Sequence, residues 1–143
     1  MESLRTAIGD VSNLVFVSDR HSAIGAAIAQ VFSLATYCYC TWHLSENLKK
    51  SYHRADIGKI FYKASRAYTQ RVYEREMNEL KSIHSGAYCT TMEADPRKWA
   101  RAHCPKRRYN VMTTNIAESM NSCLRFTRQL PVMTLAEFIR NML

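Results

Sequence analysis

Apolar residues change their spacing several times along this chain, and each change predicts an element. Leu4, Ala7 and Ile8 recur at helical intervals and run into Gly9, a helix tail with a glycine stop. After the Ser12-Asn13 turn, Leu14-Val15-Phe16-Val17 has no polar interruption, the pattern of a short strand buried on both faces. Asp19 ends it. Ile24, Ala27, Ile28 and Val31 then return to helical spacing, and Thr36-Tyr37-Cys38-Tyr39-Cys40 is rich in residues that favour extended backbone. Strand, helix and strand in so short a span predict a βαβ unit with parallel strands and a right-handed crossover.

From Trp42 onward the pattern is almost wholly helical. Leu44 and Leu48 open one stripe, which Ile57, Phe61, Ala64 and Tyr68 continue. Tyr73, Met77 and Leu80 form a further apolar face that ends near a break at Ser85-Gly86. Asp95-Pro96 reads as an N-cap followed by proline at the first helical position, with Trp99 facing inward. Asn115-Ile-Ala-Glu118 and Thr134-Leu-Ala-Glu137 both have capping-box spacing. The first leads a helix through Met120 and Leu124 that stops before Pro131; the second carries Leu135, Phe138, Ile139 and Met142. Two parallel strands do not form a self-sufficient sheet, since both edges want partners. The expectation is therefore of further strands upstream of Met1, with this chain an internal segment of a larger domain.

Charge sharpens the picture. Of 143 residues, 20 are Lys or Arg against 12 Asp or Glu, a net +8 that suits a polyanionic partner. Basic side chains concentrate in KWARAHCPKRRYN, where Lys98, Arg101, Lys106, Arg107 and Arg108 alternate with Trp99 and Tyr109, a mixture that fits a nucleic-acid backbone. No apolar run approaches the roughly 20 residues of a membrane span, and the charged N-terminus does not read as a signal peptide. Five cysteines at irregular spacing favour thiols in a reducing compartment over a disulfide framework.

Three constellations are candidates for chemistry. Asp19 stands where a strand gives way to a helix; it is either a cap for the helix beginning near Ser22 or a ligand at the lip of a sheet. Cys40 and His43, three residues apart, are potential zinc ligands without a second pair at suitable spacing, and a packed thiol beside a hydrogen-bonding histidine accounts for them better. Asn115, Glu118, Ser119 and Asn121 crowd one helical turn with polar groups; Glu118 either completes a capping box or helps to hold a metal or a phosphate.

The blocks FVSDRHSAIGAAIAQVF, CYCTWHLSENLKK and KWARAHCPKRRYNVMTTNIAESMNSCLRFTRQLPVMTLAEFIRNML, taken in order, resemble the Mutator-like element (MULE) transposases of plants over nearly the whole chain. They resemble the related far-red-impaired-response regulators as well. The resemblance implies a partial α/β domain of ribonuclease-H-like fold. Residues 1–44 would supply a short parallel βαβ portion, 45–108 a helical insertion, and 109–143 C-terminal helices carrying a catalytic glutamate. It implies an acidic DDE triad that binds two Mg²⁺ (or Mn²⁺) ions for DNA strand cleavage and transfer. Ser18-Asp19-Arg20 matches the motif of the second aspartate, Glu118 is the best match to the glutamate, and Cys40 with His43 matches the family's Cys-x-x-His signature. The family's first aspartate has no counterpart, because Asp10 follows a helix rather than a strand, and the SWIM motif common in the family is missing. The chain by itself is thus expected to be inactive. Lys98, Arg101, Lys106, Arg107 and Arg108 would hold DNA, and Arg125 and Arg128 would extend that track. A nuclear location and self-association in a transposition complex follow from the same resemblance. A domesticated DNA-binding transcription regulator without nuclease activity is the alternative, and a small zinc-binding interaction module is a third reading.

Overall fold

A computed structural model describes residues 1–108, 110–125 and 127–142, and they divide into two compact units, Met1–Thr113 and Thr114–Leu143. The fold is mixed α/β and mostly helical. In the first unit, helix α1 (Glu2–Ile8) precedes strand β1 (Val15–Ser18), helix α2 (Ser22–Val31) and strand β2 (Thr36–Tyr39). Gly9 stops α1 with φ at 75°, and its N–H bonds the Arg5 carbonyl. The two strands pair in parallel, with Val15 opposite Thr36 and Ser18 opposite Tyr39. The Cys40 N–H extends the ladder by donating to the Ser18 carbonyl at 2.7 Å. The expected βαβ unit is therefore present.

Burial of the first strand differs from expectation. All four residues of β1 are half-buried rather than enclosed on both faces. The reason is topological: among the described residues β1 has a single strand neighbour, and a cavity of about 340 Å³ lined by Asn13, Leu14, Val15, Val17, Arg107, Arg108 and Val111 runs alongside it.

The main core lies among the helices that follow: α3 (Thr41–Tyr52), α4 (Ala55–Arg66), α5 (Gln70–Ile83), α6 (Ser85–Glu93) and the single turn α7 (Pro96–Trp99). Leu44, Leu48, Ile57, Phe61, Ala64, Tyr73, Met77 and Leu80 meet there, as their spacing predicts. Trp99 is fully enclosed, its ring centroid 4.7 Å from Phe61 and 5.8 Å from Tyr73, and its indole N–H donates to the Thr91 carbonyl at 3.1 Å. Removing such a side chain costs about 3–5 kcal/mol. Helices α3 and α4 approach closely at Gly58, whose carbonyl accepts from Ser45 Oγ; a Cβ there would overlap the Lys49 stem. Asp95 caps α7 by accepting from the Arg97 N–H at 3.1 Å.

Four expectations are corrected. Tyr68 does not continue the core stripe: α4 ends at Arg66, and Tyr68 is 77% exposed in the connection to α5. Ser85-Gly86 is the first turn of α6 rather than a break, because the His84 side chain accepts from the Ala87 N–H and caps it. In the second unit, helix α8 (Asn115–Cys123) has Thr114 at its N-cap instead of Asn115. Helix α9 (Val132–Met142) starts before Thr134, placing that threonine inside the helix. Tyr109 and the side chain of Met142 fall outside the described residues.

Candidate functional site

Asp19 follows the last residue of β1, at the carboxyl end of the parallel pair, and its side chain is exposed. The cap of α2 is not Asp19 but His21, whose Nδ1 accepts from the Ala23 N–H at 3.3 Å. Among the described residues Asp19 accepts only a long bond from the His21 N–H, at 3.4 Å. Between them Arg20 adopts φ of 74°, a left-handed conformation that costs a non-glycine residue roughly 1–3 kcal/mol. The strained turn lifts the aspartate out of capping position and leaves it at the sheet's lip.

Strand alternation builds the surroundings. In Tyr37-Cys38-Tyr39 the tyrosines share one face and the cysteine takes the other. Tyr37 and Tyr39 meet edge to face at 5.5 Å, and Tyr37 OH shares a 2.6 Å hydrogen bond with Ser18 Oγ. Two cations attend Tyr39: the Arg20 guanidinium 5.9 Å and the Lys98 ammonium 5.4 Å from its ring centroid. Asp19, Arg20, His21 and Tyr39 line a hollow of about 330 Å³. A larger cavity of about 750 Å³ shares Arg20, His21 and Tyr39 and adds Tyr37, Arg97 and Lys98 to its lining.

Cys40 is buried at the N-cap of α3, beside the end of β1. His43 is half-buried one turn later, its ring 4.9 Å edge-on from Trp42. Among the described residues no three His, Cys, Asp or Glu side chains gather as a metal cluster. Asp10 is structural: its carboxylate accepts from Ser33 Oγ at 3.0 Å and from the Leu34 N–H at 3.2 Å, tying the end of α1 to the turn before β2.

The basic segment separates into two kinds of residue. Arg101 lies over the exposed Tyr68 ring at 4.3 Å and donates to Asn110 Oδ1. Tyr68, Arg101, Cys104, Lys106, Arg107 and Asn110 are among the residues that line a cavity of about 470 Å³. Arg108 lines it too, but it is only 4% exposed: its guanidinium donates to the Trp99 carbonyl at 3.1 Å and the Tyr39 carbonyl at 3.2 Å. Burial pulls its pKa below the usual arginine value. Arg108 thus holds the basic segment onto β2.

In the second unit Asn115, Glu118, Ser119, Asn121, Arg125 and Arg128 are all exposed. Glu118 bonds the Thr114 hydroxyl across the first turn of α8, a side-chain pairing instead of the reciprocal capping box. Asp19 belongs to the first unit and Glu118 to the second. Within the first unit the structure brings Asp19, Arg20 and Tyr39 together, and Lys98 to the ring of the same tyrosine. The tyrosine rim was not anticipated; its signal was the alternating Tyr-Cys-Tyr-Cys.

Residues 1–47, a span that contains Asp19, Cys40 and His43, match the MULE transposase domain. Over 86 residues the chain is also 28% identical to Protein FAR1-RELATED SEQUENCE 4 of Arabidopsis thaliana, covering 56% of this chain and 12% of that protein. The two matches support a plant MULE/FAR1-like family. The domain match is narrower than the nearly full-length resemblance expected, and the segment carrying Glu118 lies beyond it. No solved structure matches the chain significantly. The chain spans about an eighth of the curated relative's length.

Proposed function

We propose that residues 1–143 form part of a DDE-type DNA transposase domain with a ribonuclease-H-like fold, acting in the plant nucleus. The reading rests on Asp19: an exposed carboxylate at the carboxyl end of a parallel strand, with the capping of α2 taken over by His21. A rigid element that presents an exposed carboxylate, held by one long main-chain bond, offers hard oxygens to a divalent cation. Asp19 fits such an ion as one ligand. Glu118, of the second unit, and an aspartate elsewhere in a longer protein are the other carboxylates proposed as ligands for Mg²⁺ or Mn²⁺. When bound, these ions would supply water activation and leaving-group stabilisation for displacement at phosphorus. Strand cleavage belongs to that longer protein, as does any self-association in a transposition complex.

The chain's own residues provide the substrate surface. Arg20 and Lys98 attend the ring of Tyr39, which lines the Asp19 hollow with Arg20, and phosphate and a stacked base suit the paired cation and ring. Lys98, Arg101, Lys106 and Arg107 carry the backbone onward, and Arg125 and Arg128 of the second unit are proposed as further DNA contacts. Arg108 is left out, because its donors are committed to main-chain carbonyls.

Titration of Mn²⁺ into the ¹⁵N-labelled chain tests the aspartate. Paramagnetic broadening should centre on the amides of Asp19 to His21 and disappear there in Asp19→Asn. Broadening that avoids this turn, or persists in the variant, sinks the assignment. DNA binding that survives in Asp19→Asn without any metal response would favour the regulator reading.

A further inference from the structure

We propose that Cys38 and Cys104 are a peroxide-responsive thiol pair that closes to an intramolecular disulfide beneath the basic cavity. The two sulfurs come from distant parts of the chain, yet stand 3.7 Å apart. Cys38 lies on the inner face of β2 and is completely buried. Cys104 follows the short 3-10 turn Arg101–His103, is partly exposed, and lines the cavity of about 470 Å³ with Arg101, Lys106 and Arg107. One thiol is accessible and the other is held behind it. Bonding requires the sulfurs to approach to about 2.05 Å, a shift within reach of side-chain rotation and a small movement of the loop.

Arg108 explains why this pair should react. Its guanidinium is buried, its Nε has no hydrogen-bond partner, and among the described residues no carboxylate is paired with it. A buried cation favours a nearby anion, and the groups that act on it here are the thiols of Cys38, Cys104 and Cys40, opposed by the positive charge of Arg101. Cys104 is where the negative charge settles. The hydrogen bond from Cys38, the Lys106 N–H and the Arg108 charge bring it down to about 6 against the opposing effect of burial. Cys38, donating that hydrogen bond and buried, is pushed up. Cys104 is accordingly the attacking sulfur and Cys38 the resolving one.

The chemistry balances with a hydroperoxide as oxidant. The Cys104 thiolate attacks a peroxide oxygen; an S–O bond forms and the O–O bond breaks. The sulfenic acid remains, and the departing hydroxide takes up a proton as water. Cys38 sulfur then displaces the hydroxyl group: an S–S bond forms, the S–O bond breaks, and the Cys38 proton leaves with hydroxide as a second water. Two thiols have lost two electrons to one peroxide. A dithiol returns them by exchange. Closure would fasten the Arg101–Arg108 loop covalently to β2, and this inference stands whether or not the loop binds DNA.

The test treats the intact chain with hydrogen peroxide at pH 7, alkylates residual thiols with N-ethylmaleimide, and maps tryptic peptides by mass spectrometry. The expected product joins the Cys38 and Cys104 peptides, is reversed by dithiothreitol, and forms without loss of the maleimide adducts on exposed Cys89 and Cys123. Cys104 should be oxidised about tenfold faster than Cys89. Cys104→Ser should remove the cross-link and leave Cys38 reduced. Cys104 stopping at sulfinic acid in the wild-type chain, Cys38 linked to another cysteine, or Cys38 oxidised equally in Cys104→Ser would each overturn the proposal. The wild-type map decides the matter even if a variant fails to fold.

Discussion

Arg107 and Arg108 are adjacent and chemically identical, yet the fold gives them opposite employment. Arg107 is exposed beside the basic cavity, whereas Arg108 turns inward and bonds the carbonyls of Trp99 and Tyr39. Arg108→Ala strands two carbonyls in the interior and removes a packed stem, partly offset by release of a buried charge. A loss of roughly 1–3 kcal/mol is expected. Arg107→Ala should stay within about 0.5 kcal/mol of the parent. Urea unfolding of both variants checks this, and equal midpoints would show that the inward bonds contribute nothing. Asp19 and Asp10 form a second instructive pair. Asp10 follows a helix and Asp19 a strand, and of the two Asp10 is the one tied into the fold by bonds to a distant turn. Sequence spacing separates the aspartates but not the arginines, because the fate of Arg107 and Arg108 depends on which carbonyls the tertiary fold brings within reach.

Helix ends were the least readable elements, for a common reason. A side chain caps whenever it can reach a free N–H, so His21 and His84 take the role that spacing gives to Asp19 or a serine, while at α8 the N-cap position falls to Thr114 instead of Asn115. Asp95-Pro96 is the exception that was plainly legible, since proline at the first position and an acidic cap favour the same boundary. Asp95→Ala should lower stability at neutral pH by about 1 kcal/mol. The hydrogen bond from the Arg97 side chain holds the Asp95 carboxyl below its ordinary value. A carboxyl depressed by folding stabilises above its unfolded pKa, and that contribution fades as pH falls through the folded one. Thermal melts should therefore show a gap between parent and variant at pH 7 that narrows in acid. A gap that is unchanged or wider at pH 3 would exclude a charged cap.

Over the whole molecule, the net charge of +8 and the exposed members of the basic segment predict binding to DNA through phosphates more than bases. Affinity for a random duplex, measured by fluorescence anisotropy, should fall steeply with salt. The double variant Lys106→Ala, Arg107→Ala should reduce the slope of log K against log salt by about 2. An unchanged slope would remove this loop from the interface. Among the described residues no helix is long and apolar enough to cross a membrane. Two compact units, divided at Thr113, carry the two candidate carboxylates separately. The pattern of apolar residues did not announce that division, because α8 and α9 have the same amphipathic spacing as the core helices before them.

What the sequence determined by itself is local and periodic: the strand–helix–strand unit, the stripe from Leu44 to Leu80, the inward Trp99, and Asp19 at a strand end. These follow from the alternation of side-chain direction with backbone period, which is written residue by residue. The tertiary structure alone decided that Cys38 faces Cys104, that Arg108 serves the interior, that Tyr39 shares a hollow with Asp19, and that Arg20 and Lys98 both attend its ring. Each of those pairings joins positions far apart in the chain, or chooses between identical neighbours. Only packing, through the distances and burial it imposes, can make such a choice.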